Sequence, residues 1–154
     1  MNLIIDTREK KDKITHITSY LDDNHIKWYR SKLICGDYQN PLNPTIVIDR
    51  KKDLQEVAGN LTQQHERFRR ECELAKELGY RMIVLVEEPK IKSVEEVVKW
   101  YNWRKRSNPK AIDGKTLRKI MKTMSEKYGI EWCFTTKENC GRTIVELLGG
   151  NNNQ

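Results

Sequence analysis

The stretch Ile46-Val47-Ile48-Asp49-Arg50-Lys51, preceded by Gly36-Asp37-Tyr38, decides how this chain folds. Strong β-formers run directly into the charged triplet, so residues from about Thr45 to Lys51 are predicted to form a strand that ends in polar groups. Side chains alternate across a strand, which puts Asp49 and Lys51 on one face of the sheet and Arg50 on the other. Asp37 ends the segment before the turn, so two carboxylates and an ammonium converge at one sheet edge. Two acidic oxygens suit a hard divalent cation, and a neighbouring ammonium can orient water or steady charge on a phosphate. That donor set is a layout for phosphodiester hydrolysis.

Working outward, Leu3 to Asp6 reads as a short apolar strand running into Asp6-Thr7-Arg8-Glu9, and in open α/β sheets ligands bind at that end of the strands. Ile14, Ile17 and Leu21 recur at helical spacing. Ile26 to Ile34 reads as a second strand before Gly36, and the short connection from Tyr38 to Pro44 predicts a hairpin with the strand ending at Lys51. The set Val57, Leu61, Phe68, Cys72 and Ala75 predicts one long helix from about Leu54 to Leu78, capped by Gly79. Met82 to Val86 is a continuous apolar run, as in a central strand buried on both faces. A capping box of Ser93 and Glu96 predicts a helix through about Lys105. A helix over Leu117 to Tyr128, a strand over Ile130 to Thr135 and a last helix around Ile144, Leu147 and Leu148 complete the chain. The predicted architecture is α/β, a restriction-endonuclease-like set of α/β/α layers around a central mixed sheet. Residues 1–149 are expected to form a single domain, and the Asn-rich tail at 150–154 to be disordered.

With 154 residues, 37% of them hydrophobic and 33% charged, the chain is long enough for a core without disulfides or structural metal. Cys35, Cys72, Cys133 and Cys140 form no C-x-x-C pair, and no apolar run approaches the ~20 residues that span a membrane, so a reduced, cytoplasmic setting is expected. The net charge is +7, and nearly all of the excess lies between Lys99 and Lys122, which holds nine Lys or Arg against one Asp. Trp100, Tyr101 and Trp103 interleave with those charges. Basic residues among aromatics suit a phosphate backbone and exposed bases, which makes Lys99, Arg104, Lys105, Arg106 and Lys110 candidate DNA contacts. Alternatively, Trp100 and Trp103 face the core and the charges are merely solvated. Arg67 and Arg70 read either as helix ion-pair members or as contacts to a scissile strand.

Taken together, Ile5-Asp6-Thr7-Arg8-Glu9, Gly36-Asp37-Tyr38 and Ile48-Asp49-Arg50-Lys51 resemble, in order and spacing, the D-x-R-E, G-D-Y and E-R-K elements of the XPF-type structure-specific DNA nucleases of the PD-(D/E)xK superfamily. Gly59-Asn60-Leu61, the run from Glu66 to Glu71 and the ending from Tyr128 to Leu148 look like the compact bacterial and phage versions. The resemblance implies a metal-dependent endonuclease acting on branched, flap or junction DNA, with Mg²⁺ as cofactor and Mn²⁺ as a substitute. It implies metal binding by Asp37, Asp49 and the backbone carbonyl of Arg50. Lys51 would align water or stabilise the transition state, and Asp6, Arg8 and Glu9 would complete the site. Asp49 stands where the family usually has Glu. Gln55 stands where an acid is expected, with Glu56 beside it as the substitute. Many family members carry a helix-hairpin-helix module, which is not expected within these 154 residues, so DNA affinity is expected from this domain or from a protein partner, and pairing as a homodimer is implied. The opposing reading is a nuclease-fold DNA-binding or adaptor protein that does not cut.

Overall fold

The computed structural model describes residues 1–149; the tail at 150–154, expected to be disordered, lies outside the described residues. Six strands form one sheet: β1 (Asn2–Ile5), β2 (Lys27–Arg30), β3 (Tyr38–Gln39), β4 (Ile46–Lys51), β5 (Arg81–Glu87) and β6 (Glu131–Thr135), in the order β2-β1-β3-β4-β5-β6. Pairing is parallel for β1 with β2, β4 with β5 and β5 with β6, and antiparallel where β3 joins β1 to β4. The sheet is therefore mixed. Helices α1 (Thr15–Asp23) and α5 (Cys140–Gly149) cover one face, and α2 (Leu54–Leu61), α3 (His65–Glu77) and α4 (Gly114–Tyr128) cover the other.

Strand parity sorts the core into these two layers. Val47, Met82, Val84 and Val86 pack with α2, α3 and α4, whereas Ile48, Ile83 and Leu85 pack with α1 and α5. Continuing the alternation carries Asp49 and Lys51 onto the α2–α3 side and Arg50 with Glu87 onto the α1–α5 side. Because β1, β4 and β5 are parallel and β3 runs against them, the ends of the three and the start of β3 meet at one edge.

Three expectations are corrected. The strand predicted over Ile26 to Ile34 is confined to Lys27–Arg30 and pairs with β1, not with β4. The hairpin partner of β4 is instead the two-residue β3, inside the segment expected to be the connection. A strand this short carries no periodic signal. It is set by Gly36 at φ +79°, where a Cβ would come within 3.0 Å of the Val47 Cβ, and by the Asp37 N–H donating to the Ile48 carbonyl at 2.7 Å.

The helix predicted from Leu54 to Leu78 is broken at residues 62–64 into α2 and α3. The Thr62 hydroxyl bonds back to the Ala58 carbonyl at 2.7 Å, an alternative to continued helix that Ser and Thr offer. The capping box at Ser93 and Glu96 forms, with Glu96 N–H donating to Ser93 Oγ at 3.3 Å, but it opens only a 3₁₀ turn, Glu95–Lys99, followed by another at Trp103–Arg106. Tertiary contacts override the local signal. The start of α4 crosses so closely that Gly114 faces the carbonyls of Val97, Val98 and Trp100, and the buried Asn102 side chain bonds the Ile112 carbonyl, the Arg104 N–H and the Gln55 amide.

Candidate active site

Asp49 and Lys51 are buried side by side on β4, with Lys51 Nζ 3.2 Å from Asp49 Oδ2. The ammonium also lies 5.2 Å from the ring centre of Phe68 on α3, a cation–π contact that fixes its direction. Burial favours the neutral amine, but the carboxylates of Asp49, Glu56 and Asp37 outweigh it and keep Lys51 charged above its ordinary range.

Asp37 is locked by its backbone and side chain together. Its carbonyl accepts from Asp6 N–H at 2.7 Å, and its Oδ2 accepts from Arg50 N–H at 2.8 Å. Its carboxyl shares the cleft with that of Asp49, and burial, the Asp49 charge and the Glu9 charge push it well above the usual carboxylate range. Two acids pressed together in this way repel unless a cation or a proton intervenes. The pair opens into a cleft of about 240 Å³, walled by Arg8, Glu56, Asn60 and Gln64 and by the α3 residues Arg67 and Glu71.

The donor set fits a hard divalent cation. The carboxylate oxygens of Asp37 and Asp49 supply hard ligands, Glu56 and Glu71 add negative charge, and the cleft leaves room for water and substrate. A second group of metal-capable side chains, His16, Glu87 and Cys140, lies on the opposite face. There the Arg50 guanidinium, 3.0 Å from Glu87 Oε2, already supplies the compensating charge, and the group reads as a hydrogen-bonded network.

The charged residues of the sequence motifs therefore divide into two sets. Arg8, Asp37, Asp49, Lys51 and Glu56 meet in the cleft. Asp6 is fully buried and does not line it; its oxygens accept the N–H groups of Leu33 and Arg8 at 2.7 and 2.9 Å and Arg8 Nε at 2.5 Å. Burial opposes the charge on Asp6, but the Arg8 side chain and the Leu33 N–H outweigh it, so the acid is held below its ordinary value.

Glu9 reaches the cleft, yet its carboxylate is taken by Arg50 Nε at 2.7 Å and the Tyr38 hydroxyl at 2.6 Å. The Arg50 side chain faces away from Asp49 and Lys51 and ties Glu9 to Glu87, which also bonds His16 at 2.9 Å. It braces the strand from behind.

Gln55 and Glu56 also separate. Glu56 lies in the cleft and accepts from Lys52 N–H at 2.8 Å, while Asp53 caps α2 by accepting from Glu56 N–H at 2.8 Å. Gln55 points to the other side of α2, where it donates to Asn102 Oδ1 at 3.1 Å. Glu71, whose Oε1 accepts from Gly36 N–H at 3.0 Å, was not singled out from sequence. Its signal is helical: Arg67 and Glu71 lie four apart on α3 beside the buried Phe68, and Gln64 at the start of that helix precedes Arg67 by three. Arg67 lines the cleft; Arg70 does not.

The basic segment from Lys99 onward flanks this site. Trp100 packs on the core, whereas Tyr101 and Trp103 are more than half exposed, so the core-facing reading holds for Trp100 and not for Trp103. Arg104 stacks 5.8 Å from the Trp103 ring centre, and Lys99 pairs loosely with Glu96 at 3.7 Å. Trp103, Arg104 and Lys110 line a groove of about 490 Å³ against Gln55, Gly59 and Thr62, so α2 is the wall between the groove and the acidic cleft.

No protein-family model matches the sequence, and no curated protein matches it either. Solved structures do. XPF from Aeropyrum pernix superposes with a TM-score of 0.72 over 100% of this chain at 19% identity. This is an XPF-type nuclease fold. XPF from the same organism in complex with DNA superposes with a TM-score of 0.68 over 99% of the chain at 20% identity. The chain spans 66% and 65% of these XPF chains, under two thirds of their length. The expected α/β architecture with a mixed central sheet is thus observed in the strand order and in both XPF superpositions.

Proposed function

We propose that this protein is a metal-dependent DNA endonuclease that hydrolyses phosphodiester bonds at branched, flap or junction DNA. The observation that carries the reading is the convergence of Asp37 and Asp49 in one cleft beside the buried Lys51 ammonium. Asp37, Asp49 and the carbonyl of Arg50 would hold Mg²⁺, with Mn²⁺ as a substitute. When bound, the cation supplies Lewis acidity toward a phosphoryl oxygen and lowers the pKa of a coordinated water.

The side chains supply the remaining functions. Lys51, kept charged by its three acidic neighbours, donates a hydrogen bond to the attacking water or to a non-bridging oxygen as charge develops there. Glu56 offers a second oxygen toward that water. Arg8 and Arg67 at the cleft wall position the phosphate on either side of the scissile bond. Behind the strand, Arg50, Glu9 and Asp6 hold the backbone that presents the acids. With the 3′-oxygen as leaving group, as the resemblance to XPF-type nucleases implies, hydrolysis would leave a 5′-phosphate and a 3′-hydroxyl.

The preference for branched substrates rests on the groove beyond α2. An exposed Trp103 stacked with Arg104 suits an unpaired base, and Lys105, Arg106 and Lys110 suit the backbone that carries it. The XPF neighbour in complex with DNA supports DNA as the ligand. A homodimer belongs to the proposal and is checked by light scattering of the purified chain. The cleavage test uses end-labelled flap, fork and plain duplex DNA in Mg²⁺ and in EDTA. Cuts near the branch in Mg²⁺ alone are expected. Stable binding with intact DNA in both Mg²⁺ and Mn²⁺ would instead favour the non-cutting reading.

A further inference from the structure

The sequence concentrates its excess charge between Lys99 and Lys122, but the fold assembles a second basic surface from segments distant in the chain. Lys10 and Lys13 follow β1, Lys52 follows β4 and Lys137 follows β6. All four are exposed, and together they ring a cleft of about 530 Å³ whose interior includes His16, Arg50 and Glu87.

Among the described residues, none of these four lysines lies within 4.0 Å of a carboxylate oxygen, whereas Lys99, Arg118 and Lys122 of the basic stretch are paired with Glu95 or Glu96. Of the acids that line the cleft, Glu9 and Glu87 bind Arg50 and Glu87 also binds His16, while Glu56 accepts from the Lys52 N–H. Against these three carboxylates stand Arg8, Arg50 and the four lysines, so the cleft carries an excess of positive charge. Holding such charges around one concavity costs free energy that a bound polyanion recovers by displacing counterions.

This cleft shares Arg8, Glu9, Arg50 and Glu56 with the acidic cleft, so the two are continuous. It also lies toward the α1–α5 layer, while the Trp103 groove lies beyond α2 on the other layer. Basic surfaces thus flank the catalytic edge on both sides.

We propose that the Lys10–Lys13–Lys137 cleft binds the phosphate backbone of DNA on the side of the scissile bond opposite the Trp103 groove. The proposal rests on the nuclease reading for its ligand, and binding measured apart from cleavage separates the two.

The test compares wild type with the triple variant Lys10→Ala, Lys13→Ala and Lys137→Ala, by fluorescence anisotropy of a labelled flap DNA in EDTA over a series of salt concentrations. These side chains are exposed, and circular dichroism should be unchanged. The affinity is expected to fall at least tenfold at low salt, and the slope of log K against log salt to shrink by about 2 to 3, near 0.9 for each lost phosphate contact. A control variant replaces Lys27, Lys76 and Lys127, which connectivity puts at the opposite edge of the sheet, and should bind as wild type does. Equal affinity and slope in wild type and the first variant overturn the proposal, as does an equal loss in the control. Loss of binding in the first variant alone, with no cleavage by wild type in any metal, upholds this cleft and overturns the nuclease reading.

Discussion

Replacing Arg50 with Met tests whether the strand that presents the acids is braced from behind. The guanidinium is only 8% exposed and is held by Glu9 at 2.7 Å and Glu87 at 3.0 Å, themselves 11% and 7% exposed. A methionine of similar reach fills the space but leaves two buried carboxylates and the Tyr38 hydroxyl without the central cation. Breaking a buried pair from one side costs about 3–5 kcal/mol, against a total stability of about 5–15 kcal/mol for a domain. At about 2–4 °C per kcal/mol for a chain of this size, the melting temperature should fall by about 6–20 °C.

The loss should depend on pH. Burial pushes the Glu87 acid up, but hydrogen bonds from His16 and Cys140 and the Arg50 charge outweigh it and hold it below 4.5 in the folded protein. A depressed acid contributes stability above about pH 4.5 that is lost as pH falls through the lowered value. The gap between wild type and variant is therefore widest near neutrality and narrows in acid. Urea unfolding at pH 7 and at pH 4 reads both quantities. A loss under about 1 kcal/mol at pH 7, or a gap that does not narrow in acid, would refute the bracing argument.

Asp37→Asn should raise the melting temperature of the metal-free protein. The folded-state acid is pushed up by burial and by Asp49, so its ionisation opposes folding from about pH 3.8 upward to the raised value and beyond. Mg²⁺ should then stabilise wild type more than this variant in a thermal shift assay. Asp6→Asn should cost about 1–3 kcal/mol at pH 7, because an amide cannot accept from Leu33 N–H, Arg8 N–H and Arg8 Nε together; the wild-type advantage is present above about pH 3.8 and fades as pH falls through the lowered value, as acid unfolding curves would show. Gly114→Ala should destabilise by about 1–3 kcal/mol in urea, since its Cβ would lie 2.3 Å from the Val97 carbonyl oxygen, a backbone atom that has little freedom to move.

The parts of this fold that were legible in the sequence are those where one period runs unbroken. The apolar runs of β4 and β5 and the spacing of α4 predicted their elements closely, and period two correctly divided Asp49 and Lys51 from Arg50. The two-residue β3 was not legible, because its pairing depends on Gly36 and on contacts to Ile48 far along the chain. The break between α2 and α3 was missed for a related reason: the apolar set continues through it, while Thr62 and Gln64 bond back to the preceding turn. That break lets Arg67 and Glu71 face the cleft.

Motif membership predicted Asp6, Glu9 and Arg50 as members of the site, but only burial and hydrogen-bond partners assign their side chains to support. The second basic cleft was hidden as well, since its lysines lie in three separate stretches of the sequence and converge only when the ends of β1, β4 and β6 come together.

The central claim is that Asp37, Asp49 and Lys51 form a hydrolytic centre. Its most direct test is single-turnover cleavage of a flap DNA in Mg²⁺ by wild type, Asp49→Asn and Lys51→Ala, at protein concentrations that saturate binding for each. Wild type should cut near the branch, and each variant should bind the DNA yet lose cleavage by a factor of about 10² or more. Cleavage by Asp49→Asn at the wild-type rate would contradict the account.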